Sequence, residues 1–319
     1  MARTADVDEL VGRARAGDPR SVGRLITLVE DGASQLRGLM ATLAPLSGRT
    51  HVVGLTGSPG VGKSTTTSAL VSRYRADNHR VGVLAVDPSS PFSGGALLGD
   101  RIRMQEHATD REVFIRSMAS RGHLGGLASA TPQAVRVLDA AGCDPVLVET
   151  VGVGQSEVEV AGEADTTVVL LAPGMGDGIQ AAKAGILEIG DVFVVNKADR
   201  DGADATAREL RHMISLAPSE QGAWRPPVLK IVATQGTGLT ELIDAIGSHR
   251  DWLESSGTGL LRRRQRARSE IQGIALATLQ ERFAGLGGDG ALDALADEVA
   301  SGQLDAFTAA DRVVASIAG

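Results

Sequence analysis

The chain has 319 residues, 43% hydrophobic, 22% charged and only 3% aromatic, a composition that excludes a disordered or fibrous protein. Its 32 Lys+Arg against 39 Asp+Glu leave a formal charge of −7, so no general cationic field gathers nucleic acid or anionic lipid, and any polyanion must be bound locally. A single cysteine, Cys143, excludes an intrachain disulfide and multi-cysteine metal centres. The N-terminus has no apolar signal-peptide core and no run approaches the roughly 20 apolar residues of a membrane span, so a cytoplasmic protein with no membrane and no nucleic-acid partner is expected.

Residues 1–45 read as an N-terminal helical extension. Asp18 is placed to cap a helix that opens at Pro19 and carries Val22, Leu25, Ile26 and Val29 on one face. Residues 46–256 differ in kind. HVVGLTG, VGVLAVDP, VFIRSM, PVLVETVG, TTVVLLAP, DVFVVNKAD and PVLKIVAT are short apolar runs separated by helix-compatible segments, the pattern of parallel strands buried on both faces. The fold class expected is α/β, a mostly parallel doubly wound sheet, in which ligands bind beyond the carboxyl ends of the strands. From residue 257 to 319 strand signals stop. Leu261, Ile271, Ile274, Leu279 and Phe283 lie along a long helix, four glycines interrupt it near Gly288, and two shorter helices follow. This tail is too small for a core of its own and is expected to pack on a partner subunit or on the main domain. The basic run Arg262–Arg268 reads as a solvated helix face, with a partner contact as the alternative.

Directly after the first strand, GSPGVGKS matches G-x-x-x-x-G-K-S/T at every fixed position and leads into a helix. Gly57, Ser58, Pro59, Gly60, Val61 and Gly62 form a loop whose backbone N–H groups can curl around a β-phosphate, and Thr65 continues the binding segment into the helix. Lys63 supplies a point charge to the β- and γ-phosphates, and Ser64 offers a hydroxyl to Mg²⁺. Far downstream, NKAD ends a strand. The Asp199 carboxylate suits the N1–H and exocyclic amine of guanine, whereas adenine presents a lone pair there, a mismatch of about 1–3 kcal/mol per buried group. Asn196 braces the loops, the Lys197 stem covers the base, and Val232, Ala233 and Thr234 back it with main-chain amides. The pattern therefore points to GTP/GDP with Mg²⁺.

PVLVETVG ends in Glu149-Thr150-Val151-Gly152, where Glu149 reaches Mg²⁺ and the Gly152 N–H senses the γ-phosphate. Val153 follows, where Ras-like enzymes carry a water-orienting Gln, so hydrolysis is expected to be slow alone and stimulated by a partner. Asp87 and Asp100 are candidates for metal and water positioning. The alternatives for them are a turn residue and a helix cap.

GLTGSPGVGKSTTTSAL, VDPSSPFSGGALLGDRIRM, RSMASRGHLGGLA, VETVGVGQSEVEV and GMGDGIQAAKAGILEIGDVFVVNKAD together resemble the methylmalonyl-CoA mutase-associated GTPases of the MeaB type, also labelled ArgK-like, over nearly the whole chain. The resemblance implies a P-loop NTPase of the signal-recognition and MinD-like class, homodimeric through residues 257–319. It would act as a GTPase chaperone of adenosylcobalamin-dependent methylmalonyl-CoA mutase, gating cofactor loading and protecting or reactivating the mutase. By position it carries nucleotide and metal roles onto Lys63, Ser64, Asp87, Asp100, Glu149, Asn196 and Asp199. It also implies a third switch at GMGDGIQAAKAG, where Lys183 presents charge; the alternative is a solvated helix lysine.

Rival readings are separable. A metallochaperone-type GTPase delivering a metal or cofactor needs Cys/His ligands that one cysteine and six scattered histidines do not obviously supply. A kinase would pass phosphate to an acceptor, and NKAD argues against ATP. A protein-targeting GTPase wants a methionine-rich module, and six methionines form none.

Overall fold

The computed structural model describes residues 6–88, 105–107, 109–120, 130–150, 162–174, 186–216, 222–287 and 290–318. It divides into two compact units, Met1–Arg263 and Arg264–Gly319.

The first unit is built on seven strands: β1 Val52–Thr56, β2 Val81–Pro88, β3 Val113–Ser120, β4 Val146–Thr150, β5 Thr166–Leu171, β6 Val192–Val195 and β7 Val228–Lys230. They form one parallel sheet in the order β3-β2-β4-β1-β5-β6-β7. Each coincides with one of the apolar runs of the sequence. The reversal of strand direction of travel falls around β1, with β4 on one side and β5 on the other, which puts the loop after β1 at the switch point of the sheet.

Alternation along the strands fills both faces. Val53, Leu55, Val168, Leu170, Val192 and Val194 point to a core shared with helices α4 Lys63–Ala76 and, later in the chain, Leu239–Ser255. On the other face, β2 and β4 pack Leu84, Val86, Val146 and Val148 against helices α1 Val7–Arg15, α2 Pro19–Glu30, α3 Leu36–Leu43 and α5 Thr131–Ala140. Beyond them, Val169, Phe193 and Val195 pack on α7 Ala203–Leu216, which follows the short α6 Ile186–Ile189. The Leu239–Ser255 helix is α8. As its composition dictates, α2 is capped by Asp18, whose carboxylate accepts from the Arg20 N–H, and buries Val22, Leu25, Ile26 and Val29.

At the amino ends of the strands lies a buried polar network. His51 Nε2 is 2.8 Å from Thr166 Oγ1, which is 2.7 Å from His249 Nδ1; His249 Nε2 is 3.3 Å from Asp191 Oδ1. Arg262, on α9 Thr258–Gly287, makes a fork to both Asp191 oxygens at 2.9 and 3.0 Å and donates to the Asp165 carbonyl. Arg262 thus departs from the solvated face expected of the basic run. Its guanidinium has a buried carboxylate within bidentate reach. Both tryptophans of the chain flank the His249 ring, Trp224 at 4.8 Å and Trp252 stacked at 5.6 Å.

The second unit comprises the rest of α9 with α10 Ala291–Ala300 and α11 Ala306–Ala318. Ile271, Ile274, Leu276, Leu279, Leu292, Phe307 and Val314 are exposed on it. No helix among the described residues is long and apolar enough to cross a membrane.

Candidate functional site

The loop from Gly57 to Gly62 leaves β1 and turns into α4, whose first residue is Lys63. Two of its glycines are required by what surrounds them. Gly57 has φ 140° and lies so close to β5 that a Cβ would run into the Leu170 carbonyl oxygen; Gly62 has φ 97°, and a Cβ there would collide with the Asn196 amide. The space at Gly62 is what lets Asn196 in. Its Nδ2 donates to the Val61 carbonyl at 2.9 Å and its Oδ1 accepts from the Ala233 N–H at 3.2 Å, so one buried side chain ties three loops.

Neighbouring contacts tighten this arrangement. Lys197, in the left-handed region at φ 57°, donates from Nζ to the Gly60 carbonyl at 2.6 Å. Lys63 Nζ donates to the Gly57 and Ser58 carbonyls at 2.6 and 3.2 Å and is buried. The Lys63 ammonium makes charge-assisted bonds to loop carbonyls, and a phosphate oxygen in their place would bring opposite charge as well.

Opposite the start of α4, at the tip of β4, Glu149 is 1% exposed. Its Oε1 accepts from Ser64 Oγ at 2.6 Å and its Oε2 from Thr67 Oγ1 at 2.9 Å. Parallel pairing sets Ala85 of β2 against Glu149, and Asp87 lies two residues further along β2, toward the same end of the sheet. Ser64 and Glu149 are hard oxygen donors of the kind Mg²⁺ takes. Mg²⁺ is held by one or two such groups plus phosphate oxygens rather than by an all-protein cage. Among the described residues no cluster of three or more His, Cys, Asp or Glu forms such a cage.

Of the residues singled out in the sequence, Gly57 through Thr65, Glu149, Asn196, Lys197, Asp199 and Val232 through Thr234 gather at the carboxyl ends of β1, β4, β6 and β7. Ser58 is half-buried, Pro59, Gly60 and Thr65 are exposed at the mouth, and Val61 is buried beneath it. Asp199 and Thr234 are exposed, whereas Val232 and Ala233 are buried. Asp100, Gly152 and Lys183 lie outside the described residues. Thr67 was not singled out. Its signal is helical spacing, for a residue three after Ser64 shares its face of α4.

This geometry has relatives. A family model described as "Methylmalonyl Co-A mutase-associated GTPase MeaB" matches residues 22–286. A Pyrococcus abyssi protein named as a GTPase is 48% identical over 98% of this chain and 97% of its own. The GTPase ArgK of Escherichia coli is 38% identical over 81% of this chain and 80% of its own. The mitochondrial methylmalonic aciduria type A homolog of Mus musculus is 37% identical over 79% of this chain and 65% of its own. Among solved structures, that of a LAO/AO transport system kinase aligns over 100% of both chains with a TM-score of 0.73 at 27% identity.

Proposed function

The chain is a P-loop GTPase belonging to the MeaB family of methylmalonyl-CoA mutase-associated GTPases, and from that premise we propose that it is a guanine-nucleotide-gated chaperone of an adenosylcobalamin-dependent methylmalonyl-CoA mutase. The observation that carries this reading is the family match across residues 22–286, joined by identity to a relative named for methylmalonic aciduria.

In this reading the β-phosphate sits among the N–H groups of residues 57–64 at the start of α4, where the helix dipole favours an anion. Lys63 turns from the Gly57 and Ser58 carbonyls to the β- and γ-phosphates. Asp199 takes the guanine edge, the Lys197 stem covers the ring, and the Ala233 region backs it. Ser64 and Glu149 would hold Mg²⁺, joined by Asp87 and Asp100, and the chemistry such an ion would supply is neutralisation of charge on the phosphates. Gly152 and Lys183 belong to the switch segments that sense the γ-phosphate. The mutase reads the switch state, so GTP hydrolysis times cofactor loading and protects or reactivates the mutase. Ile271, Ile274 and Leu279, exposed along α9, give the C-terminal unit an apolar stripe suited to a homodimer. A cytoplasmic setting suits such a partnership.

A coupling of about 1–3 kcal/mol between nucleotide and mutase would suffice, and linkage requires the effect to run both ways. Titrating a methylmalonyl-CoA mutase into the protein is expected to raise GTP turnover and to shift GTP affinity roughly 5- to 150-fold. A titration that left both unchanged would remove the chaperone reading while leaving the GTPase intact.

A further inference from the structure

Thr67 stands one turn into α4, fully buried, and its hydroxyl has one proton with two acceptors in reach: Glu149 Oε2 at 2.9 Å and the Lys63 carbonyl at 3.1 Å. That carbonyl lies four residues back, where it serves the helix N–H of Thr67. The shorter contact is to a carboxylate, and charge-assisted bonds are about twice as strong as neutral ones. The proton therefore goes to Glu149. Near contact with the Lys63 carbonyl also fixes the side chain in the rotamer that points back along the helix, toward Ser64.

The contact with Thr67 restricts a soft degree of freedom of Glu149. The terminal torsion of a glutamate is broad and roughly two-fold, so a carboxylate tethered through one oxygen can still swing about that tether. Ser64 holds Oε1 and Thr67 holds Oε2, from positions three apart on one helix face. Two anchors on one rigid helix define the carboxylate plane.

We propose that Thr67 is a positioning residue for the metal-facing carboxylate, its hydroxyl holding Glu149 Oε2 so that Oε1 stays turned to Ser64. This rests on the reading of Ser64 and Glu149 as the Mg²⁺ pair. Outer partners that orient a metal-binding carboxylate typically change metal affinity 10- to 100-fold when lost.

The test follows release of a fluorescent GDP from the full-length protein as a function of Mg²⁺ concentration, a readout independent of hydrolysis. Thr67→Val keeps the shape of the side chain and removes the proton. It is expected to raise the Mg²⁺ midpoint for GDP retention by about 10- to 100-fold, and Thr67→Ser, which keeps the hydroxyl, to restore it toward the wild-type value. A merely structural role would lower the melting temperature of the valine variant without moving this midpoint. Thr67→Ala serves should the valine variant fail to fold. Glu149→Ala separates the two layers of the argument. If it raises the midpoint and the Thr67 variants do not, Thr67 loses its role and the metal pair stands; if Glu149→Ala leaves the midpoint in place, the metal pair and the Thr67 proposal fall together.

Discussion

The two ends of the sheet hold polar groups in different ways. At the amino ends, carboxylates are the hubs, accepting from a guanidinium and from main-chain N–H groups. Asp191 takes a guanidinium fork from Arg262 and the Thr167 N–H at 2.8 Å, Asp165 accepts from the Val52 N–H at 3.0 Å, and Asp144 accepts from the His51 N–H at 3.0 Å. At the carboxyl ends, two lysines beside the phosphate loop donate to its carbonyls: Lys63 to Gly57 and Ser58, and Lys197 to Gly60. Removing one partner from such a network leaves a buried charge uncompensated, and that is how these contacts bear on the stability of the fold. Lysines aligned on loop carbonyls beyond β1 and β6 keep positive charge at the end of the sheet where a polyanion would bind.

The sharpest way to break this contrast is to remove one group from each end. Lys63→Ala is expected to lower kcat/KM for GTP by roughly two to three orders of magnitude, the scale of a lost transition-state donor. Its effect on the melting of nucleotide-free protein should be small by comparison. Asp191→Ala should do the reverse. Breaking a buried ion pair costs about 3–5 kcal/mol, and because Arg262 is 36% exposed and can turn to water, the lower figure applies. For a unit of this size about 3 kcal/mol corresponds to a fall in melting temperature of roughly 6 °C, with GTP affinity at low temperature retained. Equal loss of stability in both variants, measured by circular dichroism, would erase the distinction between the ends.

What the sequence revealed of each end follows the same division. Parallel strands buried on both faces read as unbroken apolar runs, so all seven were legible, and the phosphate-loop residues were legible because their spacing is local. The contacts that join α4 to the tip of β4 were not. Thr67 and Glu149 are 82 residues apart and meet because β4 lies beside β1 in the sheet, a fact of topology that no local pattern carries. The amino-end network was harder still. Arg262 lies 71 residues from Asp191 and sits in a run of arginines whose members are interchangeable by composition; only the packing of α9 decides which one finds the carboxylate. The histidines looked scattered for the same reason, since His51 and His249 share Thr166 across a sheet.

Those histidines give the smallest and most specific test. His249 is fully buried between two tryptophans, and burial pushes its pKa down to about 4, with Asp191 pulling partly the other way. Burial also lowers His51, opposed by Asp165. The Thr166 hydroxyl lies 2.7 Å from His249 Nδ1 and 2.8 Å from His51 Nε2 and bridges the two rings. Burial disfavours the charged form of both imidazoles in the folded chain. Below the ordinary histidine pKa near 6.5 the unfolded chain takes up protons that the folded chain does not, so stability falls with falling pH until about pH 4 and no further from this source. Between pH 6.5 and 5 His249 alone accounts for about 1.5 kcal/mol, or roughly 3 °C of melting temperature. His249→Phe keeps a ring between the tryptophans and loses the titrating group. Whatever its absolute stability, its melting temperature should depend less steeply on pH over that interval, and a slope equal to that of the wild-type chain would mean that the amino-end network does not hold His249 neutral.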